Sequence, residues 1–574
     1  MRSIFDLKTQ WVGTLWHYNR VAIFIVLLIF FVFLGQFTKP VQDGDLYWHL
    51  QSGEWIAHHG SLPEIDPFSH SQNDAVTSQE SLQQQFTLKQ YWLGQLVLYG
   101  LWLAGGIPGI VLFRAFIYMT ILIFLFVWMA RRQSGYAPFI LVFLVGNLLC
   151  SYPNERPQLF SFLFFPILLF LLETLRQHTT QKLSYAVIFL PLVMLVWANI
   201  HGAFLLGLVI VAIYLGLSLS LPGRPKNIEL LGACVLTIAV SFLNPSGWNG
   251  FLLLFQSAIS AYQPNIIIME YLTPWRAAVD LKEFFPWYWS FVGLLVVALF
   301  LKRKSLEPIP VVVLLFLLVV SLSALRHMIY LLLSAPLLLP YLGRWKVNGT
   351  ALKIAMGVVL VLWLGTRDFS NAFSFGAHRN FPGEAVKFIN EKKINGNFFN
   401  FYDWGGYLGL NSTEKNFIDG RGLFAKASAD YDAVMNAKSN WRDILLHYNV
   451  HALILPGVQL GSGRIYPLVR SLYFDSSWKL VYHDDVALIF VKDNEINQSI
   501  ITNFNQDKRN IYEHVLTRSA WILKEEDLTN QIDLLLTIGD TASFLGYKDR
   551  ALAAYRQVLE KDPDNRKVKM ILGF

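Results

Sequence analysis

The chain has 574 residues, of which 54% are hydrophobic, 15% aromatic and only 15% charged, and its mean hydropathy is +0.41. This composition predicts a multi-pass membrane protein with soluble attachments. The net charge of +7 does not require a nucleic-acid partner, because cytoplasmic loops of membrane proteins collect Lys and Arg. The two cysteines, Cys150 and Cys234, lie in apolar stretches, which excludes a disulfide framework and a cysteine-based metal site.

Apolar tracts along the first two thirds of the chain predict about eleven membrane-spanning helices. Several tracts are shorter than the roughly 20 residues that a spanning helix needs, so flanking residues must extend them. No small-residue cleavage site follows the first tract, which is expected to be a retained signal-anchor. The tracts are Val21–Phe37, Gly109–Ala130, Ala137–Leu149, Leu159–Leu172, Leu183–Val196, Ala203–Leu221, Ile228–Leu243, Trp287–Leu301, Ile309–Ala324, Met328–Leu342 and Ala351–Leu364.

One further apolar stretch, Trp92–Leu103, is followed closely by Gly105-Gly106 and fits an interfacial helix better than a span. If it spans, the assignment of loops to the two membrane faces changes. Without it, basic residues fall at alternate loops, which places those loops and the N-terminus in the cytoplasm. The first loop, Thr38–Tyr91, and everything after Leu364 are then outside. The basic positions are Arg20, Arg131-Arg132, Arg176 with Lys182, Arg224 with Lys226, Lys302-Arg303-Lys304, and Arg344 with Lys346.

On this topology, all the unusual polar motifs fall on the outer face. One-sided clustering of polar motifs at the ends of separate helices is what an active site between those helices would produce. The motifs are Asp43–Leu50, Asn154–Gln158, Asn199–Gly202, Asn244–Trp248, Glu270–Pro274 and Arg326-His327.

The densest motif contains two acids, Asp43 and Asp45, with Trp48 and His49 close behind. As a structural feature this would be a helix cap in a solvated loop. If the motif is functional, its two-residue spacing places both carboxylates on one side of an extended segment. That suits a shared divalent cation such as Mg²⁺ or Mn²⁺, or one base plus one metal ligand. Glu270 could be a further acid of the site, or a solvated loop residue.

Two arginines near the outer ends of helices, Arg156 and Arg326, are candidate phosphate ligands, because a guanidinium matches phosphate geometry. The alternative is that they reach to lipid headgroups. Gln158 follows Arg156 in the same motif and is grouped with it as substrate-binding. The outer-face histidines, namely His49, His201 and His327, could be acid–base groups, ligands or core residues.

After Leu364 the chain becomes polar. Residues 368–502 are expected to form an outer domain that contains a small α/β fold over Phe381–Asp493. Its Gly-rich segments, Asp403–Tyr407 and Asp419–Gly422, are expected to be turns that face the membrane site. The predicted helix is Pro382–Lys393, and the predicted strands are Asn397–Phe401, Phe417–Ile418, Ala452–Leu455 and Ala487–Val491.

Residues 503–574 have a helical pattern. The spacing of five residues, Gly539, Gly546, Ala551, Tyr555 and Pro563, matches one tetratricopeptide repeat. One repeat cannot bury its own apolar face. We therefore expect it to pack on the preceding helices or to dock a protein partner.

This layout resembles the GT-C superfamily of membrane glycosyltransferases. The features that match are the cytoplasmic N-terminus, the Asp43-Gly44-Asp45 motif after the first span, and the outer C-terminal domain. The segment Tyr402–Tyr407, which includes Asp403 and Trp404, is also similar to the Trp-Trp-Asp-Tyr-Gly motif of oligosaccharyltransferase catalytic subunits, although its order differs.

A second set of segments resembles a group of bacterial membrane proteins that often carry tetratricopeptide repeats and are loosely called glycosyltransferase-like. The segments are Asp45–Gly53 with Pro63–Ser69, Arg156–Gln158, Asn199–Gly202, Asn244–Gly247, and Trp404–Leu408 with Asp419–Arg421.

These resemblances imply transfer of a sugar from a polyprenyl-phosphate carrier to a protein or glycan acceptor outside the bacterial cytoplasmic membrane. Asp43 would act as base or hold a metal with Asp45, and Arg156 or Arg326 would stabilise the phosphate. Asp403 and Trp404 would lie in the substrate-binding region. The alternative is a non-catalytic envelope assembly factor or a lipid-sugar transporter, although no internal symmetry typical of transporters is evident.

Overall fold

The computed structural model describes residues 20–574 apart from 73–77, 134, 153, 179–182, 222–226, 260–268, 281–284, 343–357, 359–360, 366–368, 370, 379, 461, 526–530 and 574. The described chain is mainly helical, with one small sheet in its C-terminal part. This confirms the prediction of a largely α-helical protein with helices and strands in the C-terminal region. The basic residues Lys182, Arg224, Lys226, Arg344 and Lys346, and most of the predicted span Ala351–Leu364, lie outside the described residues.

The N-terminal two thirds form a helical bundle around one continuous apolar core that includes Phe33, Phe165, Trp197 and Tyr288. Its helices are Arg20–Phe37, Asp45–His59, Ser78–Lys89, Trp92–Arg132, Ala137–Leu149, Gln158–Arg176, Ala186–Ala198, Phe204–Ser220, Ile228–Val240, Gly247–Ile259, Pro274–Asp280, Pro286–Leu301, Pro308–Ser323, Met328–Leu333 and Ala335–Leu342. Short 3-10 turns occur at Met269–Tyr271 and Leu325–His327.

The prediction of about eleven spans is not met by the described residues. Among the described residues, Trp92–Arg132 and Gln158–Arg176 are long and apolar enough to cross a membrane. A third candidate is the bent pair Leu325–Leu333 and Ala335–Leu342, if it counts as one span. Most other predicted tracts are apolar helices of 10–17 residues. At a rise of about 1.5 Å per residue, a 13-residue helix such as Ala137–Leu149 reaches only about 20 Å, short of a hydrocarbon core about 30 Å thick.

The outward surface of the bundle is nonetheless strongly apolar. Large hydrophobic side chains are well exposed on several separate helices, as at Phe116, Ile188 and Val319. A soluble monomer rarely exposes apolar surface on this scale. The finding is compatible with association of the bundle with a membrane.

The apolar stretch Trp92–Leu103 belongs to the first of two helical parts of Trp92–Arg132, which meet at Gly106. The break expected at Gly105-Gly106 is present as a kink, because Gly106 has φ 59° and ψ −152° inside the helix Trp92–Arg132. Only glycine tolerates such a conformation without strain.

The C-terminal sheet contains four strands in the order β1-β2-β4-β3, namely β1 (Asn397–Asn400), β2 (Val450–Leu455), β3 (Trp478–His483) and β4 (Leu488–Lys492). Strand β1 pairs parallel with β2, and the other two pairings are antiparallel. Helices around the sheet are Gly383–Lys392, Gly405–Asn411, Ala425–Met435, Trp441–His447, Pro467–Phe474 and Gln498–Phe504, with 3-10 turns at Tyr402–Trp404 and Glu495–Asn497.

The predicted strand Phe417–Ile418 is wrong. These residues are buried, but the side chain of Asn400 accepts the backbone N–H of Phe417 at 2.7 Å, in place of a ladder partner. Strand β3 was missed by the sequence analysis. The other three predicted strands and the helix at Pro382–Lys393 agree with the structure to within about two residues.

The chain ends in four helices, Arg509–Glu525, Gln531–Leu545, Lys548–Lys561 and Arg566–Leu572. A Cβ atom on Gly539 would lie 2.5 Å from the ring of Tyr555, so the predicted small and large residues do face each other across a helix pair. Leu516 of the first helix shares an apolar cluster with Leu535 and Tyr555. The predicted packing on preceding helices is therefore present, while the tetratricopeptide assignment stays a prediction.

Candidate functional site

The two acids of the first polar motif are fixed at the start of a helix. The Asp43 side chain accepts the backbone N–H of Asp45 at 3.0 Å, which closes a local turn ahead of the helix Asp45–His59. Asp43 and Asp45 are 11% and 24% exposed, respectively. Both carboxylates thus lie at the positive end of a helix, where backbone N–H groups favour negative charge.

A single arginine joins these acids to a third one. In Arg156, Nε lies 2.6 Å from Asp43 Oδ2 and Nη1 lies 2.8 Å from Asp45 Oδ2, while Nη2 lies 3.6 Å from Glu270 Oε2. We call Asp43, Asp45, Arg156 and Glu270 the acidic centre. Its members come from three motifs that are distant in sequence, so the structure brings together residues that the sequence analysis singled out separately.

Burial and charge act in opposite directions on the two aspartates. Burial raises the pKa of Asp43 to about 6, although the charge of Arg156 opposes this shift. Burial also raises the pKa of Asp45, again against the charge of Arg156. A carboxyl group with a pKa near 6 is ionised at neutral pH and still basic enough to accept a proton during catalysis.

A buried ion pair that the sequence analysis missed connects the two chain segments that carry Asp43 and Arg156. Arg114 contacts Glu155 through Nη1, and its Nε donates to the carbonyl of Phe37 at 3.0 Å. These two side chains are at most 1% exposed. The pair ties the end of the first helix, which leads to Asp43, to the residue before Arg156. An arginine inside the apolar tract Gly109–Ala130 was the available signal.

The Gly-rich segments of the C-terminal domain contact the acidic centre, but the predicted turn at Asp403–Tyr407 is in part helical, because the helix Gly405–Asn411 begins within it. A Cβ atom on Gly44 would lie 2.5 Å from the carbonyl oxygen of Asp403, and one on Gly406 would lie 2.7 Å from the backbone nitrogen of Trp48. A Cβ on Gly420 would overlap Asp45 Oδ1. The glycines therefore allow backbone to approach the site more closely than any other residue would.

A second buried arginine joins this part of the C-terminal domain to the segment Pro63–Ser69. Arg421 Nη1 lies 2.6 Å from Asp66 Oδ1, and Arg421 Nη2 lies 2.5 Å from Asp419 Oδ2. Arg421 Nη2 also donates to Ser69 Oγ at 3.3 Å. The two segments quoted for the second resemblance, Pro63–Ser69 and Asp419–Arg421, thus meet in one ion-pair cluster.

Aromatic and histidine side chains form one wall beside the acidic centre. The ring of His49 lies 3.5 Å from that of Trp48 and 5.1 Å from that of Tyr91, and Tyr91 lies 5.6 Å from His201. Gln95 Nε2 lies 3.3 Å from His49 Nδ1. Burial lowers the pKa of His49 well below its usual value, so this imidazole is neutral at physiological pH.

His201 is similarly enclosed. Its Nδ1 lies 2.9 Å from Ser161 Oγ, which in turn accepts the indole N–H of Trp197 at 2.7 Å. Burial and the nearby charges of Arg326 and Arg156 lower the pKa of His201 to about 3. His49 and His201 are therefore suited to hydrogen bonding in the neutral form.

Arg326 differs from Arg156 in its surroundings. Its guanidinium lies 4.1 Å from the ring centre of Tyr271, and it has no acidic partner among the described residues. The backbone N–H of Leu325 donates to the carbonyl of Leu272 at 2.8 Å, which joins this turn to the segment that carries Glu270. A half-buried guanidinium stacked on an aromatic ring keeps its hydrogen-bond donors for an anionic ligand.

Three other predicted residues have local structural partners. Gln158 accepts from Asn154 at 2.7 Å, and His327 Nδ1 lies 3.1 Å from Ser323 Oγ. Trp404 is buried and donates its indole N–H to the carbonyl of Asn380 at 2.9 Å. Asp403, in contrast, is exposed and its carbonyl faces the acidic centre.

The predicted metal ligands do not fit a divalent ion as they are placed. Asp43, Asp45 and Glu270 all direct a carboxylate oxygen at Arg156. Among the described residues, no group of three or more His, Cys, Asp or Glu side chains is arranged to hold a metal ion.

Comparison with protein-family models and with curated proteins finds no match to this chain.

Proposed function

We propose that this chain is a membrane glycosyltransferase of the GT-C type. It would move a sugar or an oligosaccharide from a polyprenyl-phosphate carrier to a protein or glycan acceptor on the outer face of the bacterial cytoplasmic membrane. The observation that carries the proposal is the acidic centre, in which a half-buried carboxyl pair lies next to an apolar helical bundle and is contacted by the C-terminal domain.

Asp43 is the proposed general base. Its raised pKa, about 6, suits a group that accepts the proton of an acceptor hydroxyl near neutral pH. As that proton passes to the Asp43 carboxylate, the acceptor oxygen bonds to the anomeric carbon of the donor sugar. The bond between that carbon and the phosphate oxygen breaks, and its electron pair leaves with the polyprenyl phosphate or diphosphate.

Arg326 is the proposed ligand of the leaving phosphate. It has no acidic partner in the described chain and lies near His201, whose pKa its charge lowers. Phosphate gains negative charge as the sugar bond breaks, so a fixed guanidinium stabilises the transition state more than the ground state. Arg156 is less suited to this role because three carboxylates already surround it.

The apolar bundle is the proposed membrane domain, with its shorter helices completed by flanking residues. Exposed apolar side chains such as Phe116 and Val319 would contact lipid, and the donor would enter laterally between helices. The N-terminus would be cytoplasmic, and the domain from residue 368 would be periplasmic or extracellular. Reporter fusions after Thr366 should then be active only in a periplasmic format. The C-terminal helices would offer a surface for a protein partner.

A turnover assay on purified protein tests the proposed function. The protein in lipid nanodiscs would receive sugar-loaded polyprenyl phosphates and diphosphates, with release of the free lipid phosphate as the readout. Asp43→Asn should lower turnover by about 10²-fold or more, because it removes the acid–base group. Asp432→Asn is the matched control, since Asp432 pairs with Lys438 on the surface of the C-terminal domain.

The opposite outcome would favour the alternative function. If no donor is turned over, and Asp43→Asn supports envelope polysaccharide assembly in cells as well as the wild type, the chain is a non-catalytic assembly factor or a transporter.

A further inference from the structure

The acidic centre has the composition of a divalent-cation site with a guanidinium at its middle. Each nitrogen of the Arg156 guanidinium lies nearest a different carboxylate, from Asp43, Asp45 and Glu270, at 2.6, 2.8 and 3.6 Å, respectively. Hard oxygen ligands from several chain segments are what Mg²⁺ or Mn²⁺ would require. Here the same oxygens are directed at a side chain.

Local hydrogen bonds fix both partners of this arrangement. The second oxygen of Asp43 is held by the backbone N–H of Asp45 at 3.0 Å. The backbone N–H of Arg156 donates to Asn154 Oδ1 at 2.9 Å. The neighbouring Glu155 is anchored by its buried pair with Arg114. The Asp43 carboxylate and the backbone of Arg156 are therefore both held by local hydrogen bonds.

The guanidinium of Arg156 already lies among the three carboxylates and brings a permanent positive charge to the centre. A divalent ion placed among these carboxylates would face the guanidinium at short range, where like charges repel strongly in a partly buried site.

We propose that Arg156 is the resident cation of the acidic centre and takes the place that a divalent metal ion would occupy. Arg156 is thus a positioning residue that holds Asp43 and Asp45. The consequence for catalysis rests on the proposed function: the sugar transfer needs no metal ion. The consequence for cation binding stands without it, because the wild-type centre should not bind Mg²⁺ or Mn²⁺.

Binding of Mn²⁺ to purified full-length protein, followed by electron paramagnetic resonance, tests the inference without any sugar donor. The wild type should show no Mn²⁺ binding that depends on Asp45. Arg156→Ala leaves three carboxylates without a cation and should bind Mn²⁺ at least about tenfold more tightly than the wild type. Adding Asp43→Asn to Arg156→Ala should remove that gain.

Two further variants serve as controls. Arg156→Lys keeps a positive charge among the acids and should not gain Mn²⁺ binding. Arg464→Ala removes a remote, exposed pair with Asp533 and should behave like the wild type. Thermal unfolding and size-exclusion chromatography establish that each variant is folded.

Two results would overturn the inference. The first is that the wild type binds Mn²⁺ and that Asp45→Asn abolishes this binding. This result can be obtained even if Arg156→Ala fails to fold. The second is a folded Arg156→Ala protein that binds no more Mn²⁺ than the wild type.

The turnover assay separates this inference from the proposed function. Transfer that continues unchanged in a metal chelator supports both. Transfer that stops in chelator and returns with Mn²⁺ keeps the proposed function and overturns the role of Arg156. Absence of transfer under every condition counts against the proposed function and leaves the Mn²⁺ result to decide the identity of the cation.

Discussion

Asp45 and Gly420 are in direct contact, although 374 residues of chain separate them: the carboxylate of Asp45 lies where a side chain at position 420 would begin. Trp48 Nε1 would lie 3.2 Å from a Cβ atom at the same position. The fit of the C-terminal domain onto the acidic centre therefore depends on the absence of a single methyl group.

Gly420→Ala should displace Asp45 or the segment that covers it. Overpacking of a close contact costs about 1–3 kcal/mol, so the unfolding temperature should fall and donor turnover should be largely lost. Gly376→Ala is a suitable control, because nothing lies within 4 Å of its Cβ position. Equal turnover and stability in the two variants would show that the cover can shift freely.

The rate of sugar transfer should depend on pH through Asp43. The base acts when ionised, and burial raises its pKa to about 6, so kcat/KM should fall by about tenfold per pH unit below that value and be constant above it. An aspartate with an ordinary pKa of 3.8 would show no such loss between pH 5 and pH 6.

Asp45→Asn provides the check on this assignment. The negative charge of Asp45 contributes to the raised pKa of Asp43, so its removal should move the acid limb of the profile to lower pH. An unchanged acid limb would assign the titration to another group.

Replacement of Arg326 should impair use of the donor. Lysine keeps the charge but loses the planar fork and the stacking on Tyr271, so Arg326→Lys should be clearly slower and Arg326→Ala slower still, by about 10²-fold or more in kcat. Steady-state kinetics with a lipid-linked donor would measure this.

Arg303→Lys is the matched control for that experiment, because Arg303 is an exposed arginine that lies 4.9 Å from the ring of Phe300. If lysine substitutes equally well at both positions, Arg326 binds headgroups and not the leaving phosphate.

Loss of Arg421 should destabilise the whole protein. Arg421→Ala would leave Asp66 and Asp419 buried without a counter-ion, which typically costs about 3–5 kcal/mol. Arg464→Ala, which breaks an exposed pair with Asp533, should change stability by less than about 1 kcal/mol. Chemical unfolding would compare the two, and similar midpoints would mean that Arg421 contributes no more than a surface arginine.

Much of the candidate site could be predicted because polar residues next to apolar tracts are costly and therefore informative. That reasoning selected Asp43, Arg156 and Glu270 from separate segments, and they meet in the structure. It could not predict that Arg156 pairs with the acids, because pairing depends on how helices distant in sequence pack. The glycine-rich sequence indicated turns at Asp403–Tyr407, where the chain instead enters the helix Gly405–Asn411, and it did not indicate which backbone atoms the segment approaches.

Helix ends and strand β3 could not be predicted, because they depend on turns and on the packing of neighbouring segments. Apolar composition located most bundle helices, but helix ends are set by turns and packing, which is why Ala137–Leu149 is shorter than a span requires. Strand β3, Trp478–His483, was missed because its mixed polar pattern becomes a strand only beside β4. Phe417–Ile418 had an apolar strand-like pattern, but Asn400 occupies the backbone donor that a neighbouring strand would use.

The Arg421 cluster also bears on how substrates reach the acidic centre. Three charged side chains that are almost inaccessible to water join the C-terminal domain to the segment Pro63–Ser69, and opening there would expose all three at once. Glu270, in contrast, is 32% exposed and makes the longest contact of the centre, at 3.6 Å. For the proposed transfer, the more exposed side at Glu270 is the expected route of acceptor and product, and a bulky group attached at this position should lower turnover.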